Sequence, residues 1–288
     1  MSVGKEILTK IRSVQNTQKI TRAMQMVSTS KMRKTQERMR IARPYAEKIR
    51  NVMAHLAQAN MDMTHPMLSP RDNVRRAGII LITSDKGLCG GLNANSLKRF
   101  FAQVKAWIDR DVDVDVCCLG QKGLTACQRA KLNVVASATH LGDVPKMETL
   151  IGPLTVLFDK YAAGELDVIH IVYSKFINTM KQESMLEQLV PLTAEHTEVV
   201  STHPWDYLYE PDPLTVLEFL LRRYLESVVY QTVAENMASE QAARMVAMKA
   251  ATDNAGNAIK SLRLVYNKSR QAAITTELSE IVAGAAAV

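Results

Sequence analysis

Aromatic residues make up only 5% of this 288-residue chain, whereas methionine occurs 15 times. That balance argues against a core built on large rings. It suits long helices, in which unbranched side chains keep their rotamer freedom. No run of eighteen apolar residues occurs, so no membrane-spanning helix is expected. The cysteines, Cys89, Cys117, Cys118 and Cys127, form no CxxC pair and read as small buried apolar residues in a reducing compartment. Neighbouring strand residues point to opposite faces, so Cys117 and Cys118 should too. The histidines, His55, His65, His140, His170, His196 and His203, show neither HxxxH spacing nor a cysteine at metal-ligand spacing. No Ser-His-Asp or Cys-His arrangement can be drawn. No signal peptide or transit pattern precedes the first helical pattern.

Charge is unevenly placed. The formal net charge is +7, yet residues 1–60 hold thirteen Lys/Arg against Glu6, Glu37 and Glu47, so the rest of the chain is net acidic. A basic helix points to nucleic acid, an anionic surface or plain solvation. No aromatic is interleaved with these charges before Tyr45, which weakens the nucleic-acid reading.

The basic segment is helical by its spacing. Ile7, Ile11 and Val14 fall at steps of four and three, and Ile20, Met24 and Val27 repeat them beyond a polar break at Gln15–Lys19. Met39, Ala42, Ala46, Ile49, Met53 and Leu56 continue the stripe, with Pro44 expected to bend or break it. A second stripe opens with Leu214, Leu217, Leu221, Leu225 and Val228 and resumes with Ala255, Ile259, Leu262 and Tyr266, the helix reaching about Gly284. Asp212 and Pro213 supply an N-cap and a first turn. Two such arms at opposite ends of one domain should pair as an antiparallel coiled coil. The longer C-terminal arm then overhangs by about 15 residues, from Ala272 onward.

Between the arms the pattern alternates. Strands are expected at 77–83, 112–119, 133–138 and 168–173, with a possible fifth at 185–192. Helices are expected from Asn95, as N-cap, to Ile108, at 121–129, and at 147–163 with a break or start at Pro153. This is a Rossmann-like, mostly parallel sheet, so the fold class is α/β plus a long two-helix coiled coil. The divisions are a 1–60 N-terminal arm, a 61–75 linker, a 76–204 central domain and a 205–288 C-terminal arm.

Gly87-Leu-Cys-Gly-Gly91 follows a strand and precedes a helix, as a phosphate loop would. Its GxxGG spacing matches neither GxGxxG nor GxxxxGK[ST], and a tight turn is the better reading. Asp111, Asp113 and Asp115 recur at every second residue and should face water together, although three carboxylates also suit a divalent ion. His170 reads as a satisfied core residue. Met24, Met26, Met32, Met237, Met245 and Met248 read mainly as seam packing.

Six stretches carry a resemblance. QNTQKITRAMQMVSTSKMRK (15–34), TSDKGLCGGLN (83–93), KFINTMKQE (175–183), THPWDYLYEPDP (202–213), ASEQAARMVAMKAATDN (238–254) and LVYNKSRQAAITTELSEIVAGA (264–285) resemble, in order, the gamma subunit family of the bacterial F-type ATP synthase. The resemblance implies a rotor shaft with no catalytic residue and no cofactor. Its arms would thread a hexamer of alpha and beta subunits. Its α/β foot would bind the epsilon subunit and sit on the c-ring, peripheral to the cytoplasmic face of the bacterial inner membrane. Carried over by motif, Met24 and Arg244 should lie near an acidic beta loop. The basic collar of Lys31, Arg33, Lys34 and Arg38 reads either as a solvated face or, as the resemblance implies, as a surface facing acidic beta loops. Arg270, Gln271, Thr275 and Glu277 should meet the hexamer, while Tyr207, Tyr209 and Glu210 should face the ring. One extra alanine near Ala251 departs from the motif. No cysteine-bearing insertion stands between Leu192 and His203, so thiol control is not implied. The rival readings are a nucleotide-using α/β enzyme with a coiled-coil dimerisation arm and a basic nucleic-acid binder.

Overall fold

The computed structural model describes residues 2–58, 67–68, 71, 73–192 and 213–286. Among the described residues ten elements run in order: α1 (Ser2–Gln58), β1 (Arg76–Ile82), α2 (Leu92–Ile108), β2 (Asp113–Leu119), α3 (Gln121–Arg129), β3 (Asn133–Ala138), α4 (Met147–Ala162), β4 (Val168–Phe176), β5 (Gln182–Val190) and α5 (Pro213–Ala286). By contact they fall into two compact units, Met1–Thr29 with Arg244–Val288, and Ser30–Ala243.

The larger unit is built on a five-stranded sheet of order β3-β2-β1-β4-β5. β1 to β4 are parallel and β5 pairs antiparallel with β4. The apolar runs of β1 and β2 reflect helices on both faces. Ile79, Leu81, Val116 and Cys118 pack with Phe100, Val104 and Trp107 of α2 and with Cys127 of α3. On the other face Ile80, Ile82, Cys117 and Leu119 pack with Leu150, Leu154 and Leu157 of α4, with Leu217, Leu221 and Leu225 of α5, and with Ile49 of α1. Cys117 and Cys118 thus face opposite layers, as strand alternation requires. Each fully buried Leu, Ile or Phe contributes about 1.5–3 kcal/mol.

Several boundaries differ from expectation for physical reasons. α2 starts at Leu92 behind Gly91, so Asn95 is interior and caps nothing. Asn93 does the local work, accepting the Ser84 N–H at 3.2 Å and donating to Ser84 Oγ at 2.7 Å. Pro153 neither breaks nor starts α4. A helix-interior proline costs about 3 kcal/mol, but Leu150, Leu154, Leu157 and Tyr161, all within 1% exposure, hold the turns on either side against the sheet. α1 likewise runs through Pro44. β5 begins at Gln182, three residues before the expected Met185. Asp115 does not face water beside Asp113. It is 4% exposed, paired with Lys160 at 2.6 Å and accepting from Asn133 at 2.7 Å, because α4 covers that end of β2. His170 is not fully satisfied, since its Nδ1 is buried without a partner beside the equally unpartnered Trp107 Nε1. The two rings lie 5.9 Å apart, and burial pushes His170 down to about 4.

In the smaller unit α1 and α5 pair antiparallel. Ile7 and Ile11 pack on Ile259, flanked by Val14, Leu262 and Tyr266. Gly4 lies level with Tyr266, where an added Cβ would come 3.6 Å from its ring. The seam beyond Val14 differs from the sequence reading. Ile20 and Val27 are 60% and 54% exposed, whereas Thr21 and Ser28 are 8% and 2%. Steps of four and three from Ile7 continue without a break through Ile11, Val14, Gln18 and Thr21. The polar run Gln15–Lys19 therefore does not interrupt the stripe but contributes Gln18 to it, while Asn16, Thr17 and Lys19 are exposed. Met24 sits half-buried on its flank. Thr21 fits because its hydroxyl lies 2.8 Å from the Thr252 hydroxyl and 3.1 Å from the Gln18 carbonyl, either of which can take its single proton.

Candidate functional site

In open α/β sheets ligands bind outside the carboxyl ends of the strands, where the strand order reverses. Here that point lies between β1 and β4. β1 pairing with β4 ends at Leu81–Val172, so Ser174 farther along β4 faces past the end of the ladder. Helix α5 occupies that place. Asn236 Oδ1 accepts the Ser174 N–H at 3.1 Å, Ser239 donates to the Ser174 carbonyl at 2.9 Å, and Ser96 of α2 lies 2.9 Å from the Ser174 hydroxyl. All four residues are at most 2% exposed. The crevice that would take a nucleotide is filled by the chain's own side chains.

The glycine turn is likewise engaged internally. Leu88 and Gly90 have φ of 65° and 60°, and Asn93 donates to Cys89 Sγ at 3.3 Å. Asp85 accepts the backbone N–H of Gln121, His140 and Leu141 at 3.0, 3.1 and 2.9 Å, joining three loops. At Gly120, φ is 111° and a Cβ would collide with the Thr83 carbonyl. At the amino end of the sheet Asp167 has a similar role. Burial would raise its carboxyl, but the Arg75 and Arg76 N–H groups and the Arg71 guanidinium outweigh that and hold it below the usual range. Burial raises Cys117 to about 12, and the Cys127 contact with burial raises Cys118, so both stay thiols. Among the described residues no group of three or more His, Cys, Asp or Glu is placed to hold a metal. Nor is any helix long and apolar enough to cross a membrane.

The residues expected to meet partners are therefore a matter of surface. Lys31 forms an ion pair with Asp143 at 2.7 Å, and Arg38 donates to the Asp143 carbonyl at 2.8 Å. Arg33 and Lys34 are exposed. The collar is thus split between an internal tether and a free pair. Arg244 is only 8% exposed. Every residue from Arg270 to Ala283 is exposed, so the unpaired end of α5 begins two residues before the expected Ala272. Arg270, Gln271, Thr275 and Glu277 all lie on it, with Thr275 Oγ1 bonded to the Gln271 carbonyl at 3.0 Å. Tyr207, Tyr209, Glu210 and Asp212 lie outside the described residues. Sequence reasoning missed Asn236, Ser239 and Asp143. Polar residues on either side of the buried Met237 and Ala238 were the available signal for the first two; nothing marked Asp143 beforehand.

A family profile described as ATP synthase matches residues 4–288. The ATP synthase gamma chain of Chromobacterium violaceum is 78% identical over 288 residues, with both chains covered in full. The chain belongs to the ATP synthase gamma chain family. The gamma chain of Neisseria meningitidis serogroup C is 69% identical over 291 residues, again with both chains covered in full. Among solved structures the fold is similar to the rotor of the Euglena gracilis mitochondrial ATP synthase. The TM-score is 0.67 at 18% identity, covering 95% of this chain and 99% of that one.

Proposed function

We propose that this chain is the central-stalk rotor of an F-type ATP synthase, coupling proton-driven rotation of a c-ring to ATP synthesis and hydrolysis at an alpha/beta hexamer. The observation that carries the reading is the end-to-end match to bacterial gamma chains. Its partners are then the alpha, beta and epsilon subunits and the c-ring. The chain is a non-catalytic component, held at the cytoplasmic side of the inner membrane through the complex. Met24, Lys31, Arg33, Lys34, Arg244, Arg270, Gln271, Thr275 and Glu277 are the proposed hexamer contacts, and Tyr207, Tyr209 and Glu210 the proposed ring-facing ones. The proposed divisions remain 1–60, 61–75, 76–204 and 205–288.

Two features support this reading physically. Coupling by a shaft needs an asymmetric element presented to several nucleotide sites, and differential contact with each site shifts its affinity. The exposed end of α5 offers such an element without a pocket of its own. The internal filling of the sheet crevice also removes the reason to expect a nucleotide enzyme. Reconstitution tests the proposal. Mixed with alpha and beta subunits, the chain should yield a complex that hydrolyses ATP. Titrated alone with Mg-ATP in a calorimeter, it should give no stoichiometric heat. Micromolar binding by the isolated chain, with no assembly, would favour the enzyme reading instead.

A further inference from the structure

We propose that Gln18, Thr21, Thr252 and Gly256 form a register lock in the α1–α5 pair, fixing how far along α1 the C-terminal helix is seated. Apolar contact is non-directional, so the layer of Ile7, Ile11 and Ile259 tolerates sliding. The polar layer does not. Thr21 Oγ1 and Thr252 Oγ1 lie 2.8 Å apart, Gln18 Nε2 donates to the Thr252 carbonyl at 3.3 Å, and Thr252 Oγ1 bonds the Met248 carbonyl at 2.8 Å. Gly256 supplies the space for the Gln18 amide, since a Cβ there would come within 3.0 Å of Nε2.

The sequence makes this fit unique among heptad shifts. Sliding α5 by one heptad sets Met245 or Ile259 opposite Thr21, and neither has a hydroxyl. The same shifts set Lys249 or Arg263 where Gly256 stands, closing the notch beside Gln18. Either slip breaks the bonds that Gln18 and Thr21 make to Thr252 across the pair, leaving each hydroxyl only the carbonyl on its own helix and the half-buried Gln18 amide without its acceptor. A polar residue in an otherwise apolar seam specifies register at some cost in stability. These are positioning residues. Under the rotor reading they set the height at which Arg270, Gln271, Thr275 and Glu277 are presented, but the register itself does not depend on that reading.

The test uses the full chain and needs no other subunit. Nitroxide labels are placed through Ser13→Cys and Ser261→Cys, both exposed positions, while the native cysteines are buried. Pulsed electron resonance then reads the distance distribution. The parent and the hydroxyl-keeping Thr21→Ser/Thr252→Ser variant should each give one narrow distance. The apolar variant Gln18→Leu/Thr21→Val/Thr252→Val should unfold at the same or a higher temperature, yet show a second population from chains displaced by one heptad, ~10 Å along the axis. A single unchanged distance in the apolar variant overturns the proposal. Should that variant lose its helical circular dichroism, Gly256→Leu decides: it fills the notch within an intact helix. A broadened distribution then supports the lock, and an unchanged one refutes it.

Discussion

In the α/β unit Ile79, Ile80, Leu81 and Phe100 are all 0% exposed, whereas in the helix pair Ile7, Ile11 and Ile259 keep 9%, 6% and 7% and share their seam with Gln18 and Thr21. The sheet unit stands on apolar volume closed on both faces. The pair has only a stripe, and beyond Tyr266 α5 soon has no stripe to bury. Stability and specificity are therefore distributed differently. Volume changes should be felt most in the sheet unit, and polar changes in the pair should alter alignment more than melting.

The largest effect is expected where backbone and space are both constrained. Gly120→Ala places a Cβ against the Thr83 carbonyl at a φ of 111°. It should cost more than about 4 kcal/mol and abolish cooperative unfolding of the α/β unit in a denaturant titration. A soluble variant with an unchanged midpoint would break the comparison at its strongest point. Next in size, Leu154→Ala, at a side chain 1% exposed, should cost about 2–5 kcal/mol. Ile11→Ala in the pair should fall at or below the low end of that range, about 2 kcal/mol. Paired denaturation curves compare them, and equal losses would mean the helix pair is as volume-dependent as the sheet.

A pH experiment sharpens the same contrast. Because the folded chain holds His170 neutral, with its value near 4 against 6.5 for the free side chain, the unfolded chain binds more protons between those limits. The contribution is fully present above pH 6.5 and is lost as pH falls toward 4. It amounts to about 3 kcal/mol at most, at 1.36 kcal/mol per unit. The sheet unit's melting temperature should fall across that window, and His170→Leu should flatten the slope. Identical slopes in parent and variant would show that His170 is not held neutral. The smallest effect is expected at the surface. Lys31→Gln removes an ion pair to an exposed Asp143 and should change stability by under about 1 kcal/mol, a difference that vanishes at high salt. Under the rotor reading Lys31, Arg33 and Lys34 changed together to Glu should lower protons pumped per ATP hydrolysed, with the Gln set less harmful.

Much of this was legible in sequence because period and burial agree there. The parallel strands with their short turns, the first heptads through Ile11 and Ile259, and the long C-terminal helix all announce themselves by spacing. What failed did so where a polar residue was buried with a partner far along the chain. Thr21 reads as solvent-facing until Thr252 is placed opposite it, and Ile20 then takes the outside. Asp115 reads as a surface carboxylate until Lys160 is folded onto it. Asn236 and Ser239 look like flaws in an apolar stripe until the β1–β4 ladder, ending at Val172, leaves the β1 side of Ser174 open. Local period carries no information about such distant partners.

Under the rotor reading this chain turns within an alpha/beta hexamer and hydrolyses no ATP by itself. Single-molecule rotation tests it most directly, with the alpha/beta hexamer fixed to a surface and a bead attached to the α/β unit through Arg129→Cys, an exposed position. One-way rotation is expected on adding ATP, stopping when ATP is removed, together with no hydrolysis by the chain alone. A bead that stays fixed on a hexamer that is hydrolysing ATP, or hydrolysis by the isolated chain, would contradict it.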